Sequence, residues 1–155
     1  MKNFFFVLLL PSLLSYHLHT NASITPADRV GFALPDSVTE FTLRYETIEN
    51  LIILPVQINK DLKLNLILDT GCRNIVLFGR RFNKYFRFEP GKVVKFSGLG
   101  DGNPVEGSVA LNNTVSIGAV LGERIPLVVV PSRNLFSSFT NIHGVIGYRY
   151  FLSFR

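Results

Sequence analysis

The stretch LNLILDTGCRNIVLF, residues 64–78, runs an apolar strand into Asp69-Thr70-Gly71 and then resumes apolar strand. Asp and Gly are poor strand residues. A carboxylate flanked by hydrophobic strand is costly unless it has hydrogen-bonding partners or a chemical role. One reading is a turn aspartate bonded to its own loop; the other is a catalytic carboxylate. The apolar run delivers Asp69, Gly71 permits a sharp turn, and Asn74–Phe78 leaves as another buried strand.

On either side the pattern is almost entirely of strand type. EFTLRYE (40–46) alternates apolar and polar residues, and LIILPVQI (51–58), the turn NKD (59–61) and LKLNLILD (62–69) make a β-hairpin. Downstream, KVVKFSGLGDGNPVEGSVALNN (92–113) is strand, glycine-rich tip, strand. TVSIG (114–118) and ERIPLVVVP (123–131) are expected as two further strands, and a short helix is expected to begin after Val145-Ile146-Gly147. No long amphipathic helix and no repeat of solenoid length is present, so the fold class is all-β.

Three of these features, taken in order, resemble the retropepsin-like aspartic proteases, the single-lobe relatives of pepsin, and specifically their exported bacterial members. ILDTG (67–71) is similar to the family's catalytic loop, the hairpin tip FSGLGDGNPVEG (96–107) stands where the family has its flap, and HGVIGYRYF (143–151) is similar to its second hydrophobic-hydrophobic-Gly motif. The likeness spans roughly Leu51 to Phe151.

The resemblance implies a small closed or partly open β-barrel with a flap hairpin and one short C-terminal helix. It implies a catalytic loop of Asp69, Thr70 and Gly71, a flap tip of Gly98, Leu99, Gly100, Asp101 and Gly102, and a second glycine motif of Val145, Ile146 and Gly147. In that chemistry two carboxylates about 3 Å apart share one proton around a water, since both cannot ionise so close together. One carboxylate takes a proton from the attacking water while the protonated one polarises the scissile carbonyl. No cofactor, metal or covalent intermediate is implied. With a single Asp-Thr-Gly in the chain, the resemblance implies a homodimer in which two Asp69 carboxylates meet at a two-fold axis. Thr70 would brace the loops across that axis, and the partner is a peptide or protein substrate. The sequence departs from the family pattern at Cys72-Arg73, where an arginine beside the dyad would favour the ionised carboxylates. The alternative function is a retropepsin-fold module that clamps a peptide without cleaving it, or a truncated protease fragment.

Other chemistries fit the residues less well. Cys72 with His143 sits in no recognised nucleophile setting. The three histidines, two of them at 17 and 19, make no convincing metal site. GLGDG (98–102) lacks the Gly-Lys-Ser/Thr of a phosphate loop. FGRRFNKYFRF (78–88) mixes cations with aromatics as single-strand nucleic-acid binders do, but is expected to be a loop whose aromatics pack and whose charges stay solvated. Asn112-Asn113-Thr114 is a glycosylation sequon in a eukaryotic setting only.

The 155-residue chain, 47% hydrophobic, is long enough for one domain with a real core. Its net charge of +5 is spread along the sequence, which does not point to nucleic acid. A single cysteine excludes an internal disulfide. Residues 1–22 carry Lys2, an apolar run from Phe4 to Leu14 and small residues at Thr20 and Ala22, the layout of a signal peptide. The run is short of the roughly 20 residues a membrane span needs. Export to a periplasmic or extracellular space is expected, with membrane attachment only if this segment stays uncleaved. Residues 23–40 are expected as an extended lead-in and 41–155 as the protease domain. Its last residues, YRYFLSFR, stop inside an apolar element, as a C-terminally truncated domain would.

Overall fold

Alternating side chains let a strand bury one face while its backbone pairs with neighbours, and the hairpin expected from residues 51–69 does this. In the computed structural model, which describes residues 30–97, 104–131, 138–139 and 141–153, β3 (Leu51–Ile58) and β4 (Leu62–Asp69) pair antiparallel with Ile53 opposite Ile67 and Ile58 opposite Leu62. Asn59 and Lys60 both take positive φ in the connecting turn. Before them the short β2 (Glu46–Ile48) joins β3 through Glu49-Asn50, again both at positive φ, the two-residue turn whose twist suits a hairpin.

Among the described residues nine strands form one sheet. Besides those named they are β1 (Gly31–Ala33), β5 (Ile75–Phe78), β6 (Phe88–Phe96), β7 (Val105–Ile117), β8 (Val120–Val130) and β9 (Gly144–Gly147). The order β8-β5-β9-β4-β3-β7 closes on itself because β7 also pairs with β8, giving a six-stranded barrel. Closure leaves those six strands without an open edge. The fold is therefore all-β, as the strand patterns require.

Two apolar clusters follow from the alternation. Leu54, Val56, Leu64, Leu66, Leu77, Leu127 and Ile146 point into the barrel. Ile53, Ile67, Val76, Val128 and Val145 point outward and are covered by Val94, Phe96, Val105 and Val109 from the β6–β7 hairpin. Because β5 and β9 are covered on both faces, every residue in them is buried.

The structure departs from the sequence reading in several places. TVSIG is the end of one long strand, β7, not a separate element; Asn113 bulges the strand and lets it continue. Residues 40–45 form no strand; Phe41 and Leu43 instead pack against the inner cluster, beside the Gly118 turn. Within the lead-in, β1 pairs with β8 and buries Phe32. The expected short helix is a 3-10 turn, Tyr148–Ser153. FGRRFNKYFRF contains another, Arg80–Tyr85, with Phe82 and Phe86 buried and Arg81 stacked 4.9 Å over the Phe82 ring while its charge stays exposed. No helix of the described residues is long and apolar enough to cross a membrane. Residues 1–22 and the tip at 98–102 lie outside the described residues.

Candidate active site

Asp69 is the last residue of β4, and the chain turns immediately after it. The Gly71 N–H donates to Asp69 Oδ1 at 2.8 Å, and the Cys72 N–H donates to the Asp69 carbonyl at 3.2 Å. The half-buried carboxylate thus has a partner inside its own loop and keeps acceptor capacity for others. Gly71 does not take a left-handed φ. What its missing side chain provides is room, since a Cβ there would stand 3.2 Å from Asp69 Oδ1. Thr70 is exposed beside it.

The second glycine motif meets this turn through the sheet. β9 lies between β4 and β5, two strands consecutive in sequence, parallel to the first and antiparallel to the second. The register sets Asp69 opposite Gly147 and Leu68 opposite Ile146. Both ends of β9 are glycine for a steric reason. A Cβ on Gly147 would land on the Cys72 carbonyl oxygen, and one on Gly144 on the Val76 carbonyl oxygen. The Cys72 carbonyl also accepts the Tyr148 N–H at 2.8 Å, tying the Asp69 turn to the end of β9. Ile146 faces the inner core and Val145 the outer cluster. Two motifs far apart in sequence are brought together at one end of the barrel.

Cys72 packs against the outer cluster, which the arms of the β6–β7 hairpin share. Its thiol donates to the Asn74 carbonyl at 3.3 Å, and burial, with the Asp69 charge adding to it, pushes its pKa above the ordinary value. A thiol held protonated is a poor nucleophile. His143 stands opposite Asn65, four residues before Gly147, or about 13 Å along the strand at 3.3 Å per residue. Its Nδ1 accepts the Asn65 N–H at 3.0 Å, and its pKa is lowered by burial first and the Arg81 charge second, which an opposing contribution from the Asn65 backbone does not reverse. The histidine therefore clamps β9 to β4 and leaves no Cys72–His143 dyad. The Asn65 clamp was missed in the sequence because an asparagine in mid-strand carries no local signal of such a bond.

No cluster of three metal-ligating side chains exists among the described residues. The arms of the β6–β7 hairpin, ending at Phe96 and beginning again at Val105, pair with each other from Val93–Ser108 to Phe96–Val105. Compared with protein-family models and with curated proteins, the chain matches none.

Proposed function

We propose that this chain is a retropepsin-like aspartic endopeptidase acting as a homodimer. The observation that carries the reading is the Asp69 turn held against an inserted strand, with Gly147 opposite the carboxylate and Gly71 N–H on one of its oxygens. Two copies related by a two-fold axis through this loop bring two Asp69 carboxylates around one water. One carboxylate accepts a proton from that water as its oxygen attacks the peptide carbonyl; the other, protonated, donates to the carbonyl oxygen. Breakdown of the tetrahedral intermediate returns a proton to the leaving amine. Cys72 and the hairpin arms pack on one apolar cluster next to the Asp69 turn, which ties the hairpin to the proposed catalytic loop. The leader pattern of residues 1–22 supports export of the enzyme.

A non-catalytic peptide clamp is the second reading, favoured by one fact: the Asp69 carboxylate is already bonded within its own loop, as a turn aspartate would be. Peptidase assays in the acid range on the parent chain and on Asp69→Asn, with sedimentation and a pepstatin-like transition-state analogue, separate the two. Cleavage by a dimer, blocked by the analogue and lost in Asp69→Asn, is expected. Undiminished cleavage by the variant would remove Asp69 from the mechanism, and peptide binding without cleavage would establish the clamp.

A further inference from the structure

At the end of the barrel away from the Asp69 turn, one short element carries four cations. β5 runs from that turn to Phe78, whose N–H donates to the His143 carbonyl at 3.1 Å, and the 3-10 turn Arg80–Tyr85 follows. Phe82 and Phe86 are buried and fix the turn to the barrel, while Arg80, Arg81, Lys84, Tyr85 and Arg87 are exposed. Among the described residues none of the four cations has an acidic partner; the ion pair of the next strand joins Lys95 to Glu106. Glu89, the one acid of residues 78–95, pairs with none of them. The acidic residues outside the described ones are Asp28 and Asp101, and two carboxylates do not neutralise four cations.

What such a surface can hold follows from its shape and its rings. Neither the cavity of about 240 Å³ at the Asp69 end nor the cleft beside His143 is lined by these residues, so they do not close around a small anion there. Single-stranded nucleic acid stacks its bases on exposed aromatic faces. Here Phe78, Phe82 and Phe86 are buried, Phe88 is half-buried, and Lys84 Nζ stands 5.0 Å over the Tyr85 ring. A layer of lipid phosphates needs neither a cavity nor a stacking face. It needs several cations presented together, and guanidinium groups pair well with phosphate oxygens. An exposed tyrosine, apolar in its ring and polar at its tip, suits the boundary between headgroup and acyl chain.

We infer that Arg80, Arg81, Lys84 and Arg87 dock this chain on the surface of an anionic lipid bilayer, with Tyr85 at the headgroup level. The export proposed from residues 1–22 is what brings the chain to a bilayer. The site does not use Asp69 and stands whether or not that residue is catalytic. Because β5 separates the patch from the Asp69 turn, docking leaves that turn clear of the lipid.

The test is cosedimentation of the full chain with vesicles of phosphatidylcholine alone and of phosphatidylcholine with an equal part of phosphatidylglycerol. Any grip of the apolar run Phe4–Leu14 on lipid is common to both vesicles, so the difference between them reads the charges. A Lys or Arg near an anionic surface strengthens binding about fivefold, so a preference of about a hundredfold or more for the anionic vesicles is expected at low salt. It should vanish at about 1 M salt, where the screening length falls to about 3 Å. Arg80→Gln combined with Arg87→Gln should weaken anionic-vesicle binding by about 25-fold on the same figure. Arg73→Gln combined with Arg149→Gln, an equal loss of charge at the Asp69 end, should do far less. The chain has no tryptophan, so Tyr85→Trp places a single indole in the patch, and brominated anionic lipid should quench it. Equal binding to the two vesicles, equal effects of the two arginine pairs or an unquenched indole would each overturn the inference. So would binding to oligothymidine that survives more salt than binding to the vesicles. The vesicle comparison and the indole need no arginine variant, so they decide the matter even if one of those folds poorly.

Discussion

Asparagine at position 69 keeps the side-chain oxygen that accepts the Gly71 N–H, so Asp69→Asn should fold like the parent. It removes the ionisable group, and peptidase activity should fall by about 10²–10⁴-fold, the usual worth of a positioned acid–base group; unchanged turnover would dismiss the carboxylate. Cys72 is held as a thiol by burial, with the Asp69 charge adding to it. Its alkylation by iodoacetamide at neutral pH should therefore be slower than that of a free thiol, and a rate at or above the free thiol's would contradict the assignment. For His143 the folded-state pKa lies below the ordinary 6.5, so the unfolded chain binds the extra proton first. The stability this contributes is full above about 6.5 and is lost as pH falls through the lower folded value. Urea midpoints measured between pH 7 and 5 should drop more steeply in the parent than in His143→Asn, and parallel slopes would show that His143 titrates alike in both states.

Among the elements, β7 depends on one buried polar side chain. Asn113 breaks the β7–β8 register between Ala110 and Val115, and its Nδ2 is shared among the carbonyls of Ala110, Leu111 and Ile125. Its Oδ1 accepts Asn59 Nδ2 at 2.9 Å, and Asn59 Oδ1 accepts the Thr114 N–H, so the bulge is pinned to the β3–β4 turn. Asn113→Ala would strand these buried groups at about 1–3 kcal/mol each, partly recovered by water. A loss of about 2–4 kcal/mol in denaturant unfolding is expected from that figure; less than about 0.5 kcal/mol, the level of a neutral surface change, would mean that the bulge holds without it. The NNT sequence that contains this residue looks, as sequence, like a sequon and nothing more; only the fold shows that Asn113 is structural.

At the scale of the molecule, one barrel supplies one Asp69, and the proposed chemistry needs two. Specific activity should fall with dilution in step with the loss of dimer seen by sedimentation. Activity independent of concentration in a monomeric sample would exclude the two-fold arrangement. The end of the barrel that carries Asp69 is also where β1, the β4–β5 turn and the final 3-10 turn converge, around a cavity of about 240 Å³.

How much of this was legible beforehand follows from what each residue needed. The hairpin β3–β4, the long arms of β6–β7 and the turn at Asp69 announce themselves through alternation and turn chemistry, which are local in sequence and need no partner to be recognised. So do the glycines of Gly144-Val145-Ile146-Gly147, though not the reason for them. The insertion of β9 between β4 and β5, the His143–Asn65 bond across 78 residues and the grouping of Arg73, Arg124 and Arg149 have no local signature. They are decided when the barrel closes, because pairing partners are chosen by which arrangement buries both faces of β5 and β9 and satisfies their backbone hydrogen bonds. By itself the sequence determined that this is a β protein with a turn aspartate between buried strands. The tertiary structure alone decided what stands opposite that aspartate, since strand pairing is a property of the whole chain and not of the segment that carries the residue.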